Sequence, residues 1–403
     1  MRTFGWIAAR VLVLSFGLTL CAATTRAEPP DAAQLAALPG WSVLESAHFR
    51  FHFSPSSGVA DRGAFAANEE RVLTELLAYF GGSLSGTIDF YVWKDDAEAL
   101  PVLGRKLAFA IPSSLTLHTS AGHSEGHELT HVVVGDVLRP TRGSRLISEG
   151  AAVVFDQSGR DLVAASQAAV RQAGPGRASV LGLWALDDRD DALIYPLGGA
   201  FVARLIAEGG RARFIELLRE PSLERARALY GADLDRIIAA FDKDVGIEPA
   251  AEALATLRLA ARARMAKDRA TYTAQELTEI EALYGQGSMK TDAGQRAYAT
   301  LIQRFAKSNR AGCAALYLAR VATGDDQKAK LQQAIRDYND AWYGDGTQVG
   351  PYARTLLALQ LKKAGDIDGA RRLAAEVATY TPDAVEHQGR SLVAWLREAE
   401  LLP

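Results

Sequence analysis

The sequence predicts an α+β amino-terminal unit followed by an all-α unit, and three observations carry that expectation. Between residues 41 and 119 short segments alternate polar and apolar residues, as half-buried strands do. Apolar residues at helical spacing surround those segments and dominate residues 126–245. From about residue 250 onward only a helical pattern remains, and it repeats. With 48% hydrophobic and 23% charged residues the chain has an ordinary globular composition, and 403 residues suit two domains. The expected division is 1–27 signal peptide, 28–40 linker, 41–250 first domain and 251–403 helical domain.

Residues 1–27 carry Arg2 and Arg10, then the apolar run Val11–Leu20, then small residues ending in Thr25-Arg26-Ala27. This reads as a secretory leader, because the apolar run is short of the ~20 residues that a spanning helix needs. The expectation is an exported protein, periplasmic or secreted, with no later segment apolar enough to span a bilayer. Those 27 residues hold three arginines and no acids, so their loss takes the net charge from −3 to −6. A net negative chain argues against nucleic acid as a partner. Of the two cysteines only Cys313 lies beyond the leader, so no intrachain disulfide is expected.

His48-Phe49-Arg50-Phe51-His52-Phe53 alternates and predicts a strand; His48, Arg50 and His52 share its more polar face. A solvated or partly buried strand face is the plainer reading of those histidines than a second metal site. Residues 61–80 predict an amphipathic helix ended by Gly81-Gly82. Thr87–Trp93 predicts a strand, and Leu107–His118 another, interrupted at Pro112. The loop 120–126 follows, and its His123 reads as a surface or cleft histidine.

The next stretch, His127-Glu128-Leu129-Thr130-His131, is an H-E-x-x-H motif with apolar flanks. Two histidines four apart project from one face of a helix and can offer both imidazoles to one zinc ion. Glu128, beside the first, is placed to act as general base toward a zinc-bound water. A catalytic zinc takes three protein ligands and keeps one position open. Glu149, in Ile147-Ser148-Glu149-Gly150-Ala151-Ala152, is the candidate third ligand, with seventeen residues between it and His131. Asp156, about two turns further on, and Asp136 are candidates to orient a histidine ligand, although a helix-end acid is the plainer reading of either.

H-E-L-T-H followed by S-E-G-A-A resembles the gluzincin metallopeptidases, most closely their small bacterial peptidase MA-like domains, over roughly residues 45–245. The metzincin pattern is absent, since Val134 and Val137 stand where it needs Gly and His. The resemblance implies a small mixed sheet with active-site helices, His127, His131 and Glu149 as zinc ligands, and Glu128 as the catalytic acid/base. It further implies that a sheet edge just before the zinc helix binds substrate backbone, here Ser114–Thr119. Aminopeptidase-N-like members place one residue more before the glutamate and carry a G-A-M-E-N-like stretch, which this chain lacks. An endopeptidase is therefore favoured over an aminopeptidase. Tyr195, in Tyr195-Pro196-Leu197-Gly198-Gly199-Ala200-Phe201, sits in a feature shared with the MA-like domains. It is the candidate oxyanion donor, with a core or capping tyrosine as the competing reading.

Residues 173–192 read as loop, with the run Asp187–Asp191 as solvated surface, and a helix then opens near Ile194 and reaches about Ala207. Amphipathic helices fill 211–245. Beyond them Ala315-Leu316-Tyr317-Leu318 with Gly324-Asp325 is echoed by Leu356-Leu357-Ala358-Leu359 with Gly365-Asp366, at an offset of 41 residues, and an earlier pair falls at 274–306. The pattern resembles tetratricopeptide-like hairpins with a longer period than their usual ~34 residues, and such stacks offer a concave surface to a protein partner. Tyr317, Trp342 and Tyr352 are candidates for that surface, with core packing as the default. Two functions of different class are compatible with these residues. One is an exported Zn2+ peptidase acting on a peptide or protein substrate. The alternative is a non-catalytic binding or scaffold protein whose zinc is structural, for which Glu128 has no use.

Overall fold

The computed structural model describes residues 39–141, 143–186 and 190–403. The leader, nearly all of the linker and residues 187–189 of the acidic run lie outside the described residues.

Five strands form one mixed sheet: β1 (Ser42–Glu45), β2 (Phe49–Phe53), β3 (Ile88–Trp93), β4 (Phe109–Ile111) and β5 (Thr116–Ser120), in the order β1-β2-β3-β5-β4. The β2–β3 and β3–β5 pairs are parallel, while β1 and β4 run antiparallel to their neighbours. Alternation assigns the two faces. Phe51, Phe90 and Leu117 stand in register on one face, fully buried with Phe49 and Phe53 against α1 (Arg62–Phe80) and the helix that starts at His127. His52, Tyr91, His118 and Phe109 stand in register on the other face, their rings stacked 4.3 to 4.8 Å apart and covered by α2 (Asp96–Leu103). Asp61 caps α1 by accepting from the Ala64 amide. The polar face of β2 is thus divided: Arg50 and His48 are exposed, whereas His52 is buried and bonds Asp89 at 2.8 Å.

Two expectations change here. Residues 107–118 are not one strand: Pro112–Ser114 form a helical turn that folds β4 back onto β5. The edge of the sheet is therefore β4, while the Ser114–Thr119 stretch supplies an interior strand paired on both sides.

The zinc-motif helix α3 (His127–Val133) runs on into a wider turn, Val134–Leu138. After it come α4 (Arg145–Phe155), α5 (Leu162–Ala173), α6 (Val180–Ala185), α7 (Asp191–Arg219), α8 (Leu223–Tyr230) and α9 (Asp233–Val245). Helix α6 falls inside the segment read as loop. Ser179 caps it, and Glu252 from a later helix accepts from the Val180 and Leu181 amides, a tertiary cap that flanking Gly and Pro residues conceal. Helix α7 has the length and apolar composition of a membrane span, contrary to the expectation that no later segment does. Its backbone breaks at Gly210, and Leu193, Ile194, Leu197, Phe201, Val202 and Leu205 pack into the first core, as a central core helix requires.

Residues 249–403 are helical: α10 (Pro249–Thr271), α11 (Ala274–Gln286), α12 (Asp292–Arg304), α13 (Asn309–Val321), α14 (Gly324–Asp337), α15 (Val349–Lys363), α16 (Ile367–Tyr380) and α17 (Leu392–Glu398). One apolar cluster joins residues 49–247 and another joins 311–401. The repeat is real in the backbone, but its period is 43, from Gly324 to Ile367 and from Val349 to Leu392. The loops between units share one hydrogen-bond pattern at that offset: Tyr343 N to Thr347 O and Val349 N to Ala341 O are matched by Glu386 N to Arg390 O and Leu392 N to Ala384 O. The Gly-Asp echo misleads because Asp366 caps its helix, the position that Thr323 holds in the preceding unit. Tyr352 is buried, and Tyr317 and Trp342 are partly buried.

Candidate metal centre

Helix α3 is amphipathic in a way that serves the site. Leu129, Val132 and Val133 are buried beneath the sheet, which turns His127, Glu128 and His131 outward. Its start is fixed by Gly126, at φ +85°, where a Cβ would stand 2.6 Å from the Phe155 carbonyl oxygen at the end of α4. The loop before it is pinned by His123, whose ring donates toward the Ser120 carbonyl at 3.0 Å and faces Glu69 at 3.2 Å. Burial opposes the charged form of His123, but the hydrogen bond and charge of Glu69 outweigh it and hold its pKa above the ordinary range. The His123 side chain is thus buried in the cleft wall rather than on the surface.

Helix α4 brings in the acid. Leu146, Ile147, Ala151 and Ala152 face the core, leaving Glu149 toward α3. The placement depends on a close crossing with α7: a Cβ on Gly150 would sit 2.4 Å from the Gly198 carbonyl oxygen, and one on Gly198 would sit 2.6 Å from that of Leu146. No larger residue fits at either position without moving a helix backbone. This crossing also sets Tyr195, three residues before Gly198, beside the site, its ring centre 5.9 Å from that of His127.

One nitrogen or oxygen from each of His127, His131 and Glu149 lies within 4.8 Å of the other two. Glu149 Oε2 is 3.6 Å from His127 Nε2 and 3.3 Å from His131 Nε2, and the three side chains are 13%, 23% and 16% exposed for His127, His131 and Glu149. Among the described residues this is the one group of three or more such side chains converging on a point. Burial disfavours ionised Glu149, yet the two imidazoles facing it, through close polar contact and charge, hold its carboxyl well below the usual carboxylate range. Burial likewise raises the Glu128 pKa, the two histidines only partly offsetting it. Burial also raises that of the Tyr195 hydroxyl, which stays protonated at neutral pH. Two imidazoles and one carboxylate that converge in a partly open cleft fit a zinc ion with a position left over.

The cleft runs to both sides of this group. A cavity of about 720 Å3 holds His127, Glu128 and Tyr195 with His123, Asp95 and Asp96. Another of about 920 Å3 holds Glu128, His131, Glu149 and Tyr195 with Phe109 and Ala110 of the edge strand β4. Asp156 and Asp136 orient no histidine: Asp156 binds Ser158 and Arg160, and Asp136 accepts from the Ser85 amide and hydroxyl at 2.7 Å. Arg145 is a residue that the motif alone does not point to. It spans Asp191, at 2.8 Å, and Glu149, at 3.8 Å, and its i,i+4 spacing to Glu149 is the signal that could have found it. The Gly150–Gly198 crossing also has a signal, in the small residues that follow both Glu149 and Tyr195.

No protein-family model matches the chain, and no curated protein matches it. Among solved structures it is similar to native yeast LTA4 hydrolase (14% identity, TM-score 0.34, 88% of this chain and 66% of that one) and to yeast LTA4 hydrolase in complex with bestatin (14%, 0.36, 90% and 65%). A native leukotriene A4 hydrolase from Saccharomyces cerevisiae gives 13% identity and a TM-score of 0.31, covering 90% of this chain and 66% of that one. The chain spans just under two thirds of the length of each. Likeness at these TM-scores is too slight to bear on function, and the side chains of the cleft carry the functional reading instead.

Proposed function

We propose that this chain is a zinc-dependent metallopeptidase of gluzincin type, with His127, His131 and Glu149 holding the ion, and that it cleaves within polypeptides. The convergence of those three donor atoms beside Glu128 is the observation that carries the reading. Bound there, zinc would supply Lewis-acid activation of a water and of the scissile carbonyl. The chain's own residues do the rest. Glu128, its pKa raised toward the working range by burial, takes the proton of the attacking water and passes it to the leaving amine. Tyr195, protonated and next to His127, donates to the oxyanion as it forms. Arg145 holds Glu149 in orientation. The edge strand β4 offers its free backbone side to an extended peptide. Support for internal cleavage comes from the cleft, which extends from Glu128 and Tyr195 in both directions. We take residues 41–250 as the peptidase domain and 251–403 as the helical domain, on the strength of the two separate apolar clusters. The same proposal places the enzyme outside the cytoplasm, on residues 1–27 alone.

The experiment uses internally quenched peptides, with free and blocked amino termini, against wild type and Glu128→Gln. The expected result is equal cleavage of free and blocked peptides by wild type, and a loss of about 10²–10⁴-fold in Glu128→Gln with its zinc retained. Cleavage that persists in Glu128→Gln removes this mechanism.

A further inference from the structure

The two apolar clusters divide the chain near residue 250, but the cleft is not divided there. Helix α6 carries Trp184 and Ala185 into the wall of the 920 Å3 half of the cleft, beside Glu149, Arg145 and Tyr195. Its 6 residues are too few to hold a helix alone, and both its ends leave backbone groups that need outside partners. Helix α10, the first of the helical half, takes both ends. At the start of α6, Glu252 accepts from the Val180 amide and, at 3.3 Å, from that of Leu181. At its end, Arg262 donates to the Ala185 carbonyl at 2.8 Å. From residue 252 to residue 262 a helix rises about 15 Å, enough to pass both ends of one about 9 Å long. On its inner side α6 is fixed to the first core: the buried Trp184 donates its indole N–H to the Pro221 carbonyl at 3.2 Å and meets the Phe201 ring edge-on at 5.5 Å. The repeats hold α10 in turn. Asp268 accepts from the Asn309 amide at 2.9 Å, and Arg264 faces Asp340 at 3.4 Å. A Cβ on Gly346 would stand 3.1 Å from that of Leu257, and one on Gly389, at the same place in the next unit, 3.8 Å from the Leu254 side chain. One helix thus joins the loops of the repeats to a wall of the cleft.

We propose that Arg262 is a positioning residue for the stretch of substrate on the Glu149 side of the cleft, acting through the Ala185 carbonyl. By tying the last turn of α6 to α10 it fixes the Trp184–Ala185 wall, so the helical half shapes the cleft of the other. That the stretch belongs to a substrate rests on the peptidase reading; the tie between the helices does not. A hydrogen bond with a charged donor is stronger than a neutral one, so this single bond is worth removing as a test. Arg262 is exposed, and its replacement opens no hole in either core.

The test uses zinc-loaded full-length wild type, Arg262→Met and Arg262→Lys, and makes two measurements. Hydrogen exchange reads the tie itself. Amides of residues 183–186 should exchange about tenfold faster in Arg262→Met, with the thermal midpoint near that of wild type. Arg262→Lys, which can donate to the same carbonyl, should recover most of the protection. Steady-state kinetics reads the use of the tie, on quenched peptides that share one scissile bond and are extended on one side of it or on the other. Arg262→Met should raise KM about tenfold for one extension and less for the other, with kcat nearly unchanged, because Arg262 shapes one wall of the cleft rather than the reacting centre. Unchanged exchange at 183–186 in Arg262→Met overturns the tie. Faster exchange with KM unmoved, or moved alike for both extensions, overturns the positioning role. If wild type cleaves neither peptide, faster exchange upholds the tie, and the peptidase reading falls and takes the positioning role with it.

Discussion

Buried polar groups are used in opposite ways in the two halves of this chain. In the helical repeats one group of them pairs across the loop between units. Asn309, 1% exposed, donates to the Trp342 carbonyl at 2.7 Å and accepts from its amide at 2.8 Å, while its own amide is taken by Asp268. The Tyr343 hydroxyl donates to the Cys313 carbonyl at 2.8 Å. In the cleft, His127, His131 and Glu149 converge on one point with capacity to spare. Both arrangements bury polar atoms that cost free energy if left unpaired. The first uses them to fix a repeat register, the second to form a centre that a cation would complete. Loss of a polar group should therefore weaken folding in one half and chemistry in the other.

The largest expected effect falls in the cleft. Tyr195→Phe should lower kcat by about 10²–10³-fold with zinc content and thermal midpoint close to wild type, as loss of one oxyanion donor does. A fall in stability instead would make Tyr195 a core residue and blur the contrast. Asn309→Ala should do the opposite. It leaves the Trp342 amide without its partner and the carbonyl with only the Cys313 thiol, for a loss of about 1–3 kcal/mol in urea unfolding, with metal content unchanged. Gly150→Ala belongs to both halves of the comparison, because it presses on the Gly198 backbone that positions Tyr195 and Glu149 together. It should cost about 1–3 kcal/mol through overpacking and weaken zinc affinity as well; unaltered zinc affinity would show that the crossing serves stability alone.

A further effect concerns pH at the junction between the halves. Asp242 of α9 is pushed up to about 8, chiefly by burial and then by the charge of Glu252. Between roughly pH 4, where an unfolded aspartate ionises, and pH 8 the folded chain holds one proton more, so stability falls as pH rises through that window. Asp242→Asn should match wild type near pH 4 and exceed it near pH 8. Parallel stability curves for the two proteins would contradict that placement.

The site is more legible in the sequence than the fold around it, for a physical reason. An i,i+4 pair of histidines on a helix needs no tertiary information to converge, and Glu149 is legible because an acid inside an apolar helix is costly unless used. What brings the two helices together is less legible. Gly126, Gly150 and Gly198 matter through atoms of distant backbone, and the runs of small residues after Glu149 and Tyr195 hint at a close crossing without saying which glycine is crowded or against what. The same holds for α6, part of whose capping comes from Glu252, and for β4, whose place at the sheet edge follows from pairing order rather than from its own residues. The repeat is legible as a rhythm of helices, but its period is not, because Gly-Asp turns look alike whether or not the aspartate caps a helix.

Everything proposed for the cleft depends on three side chains from two helices making one zinc centre. The sharpest check is zinc analysis of wild type, His127→Ala, His131→Ala and Glu149→Ala after dialysis against a weak chelator. One zinc per wild-type chain is expected, with loss of the ion from each variant, since each removes one of three protein donors. Stoichiometric zinc retained by Glu149→Ala would contradict that centre and point to a different third ligand.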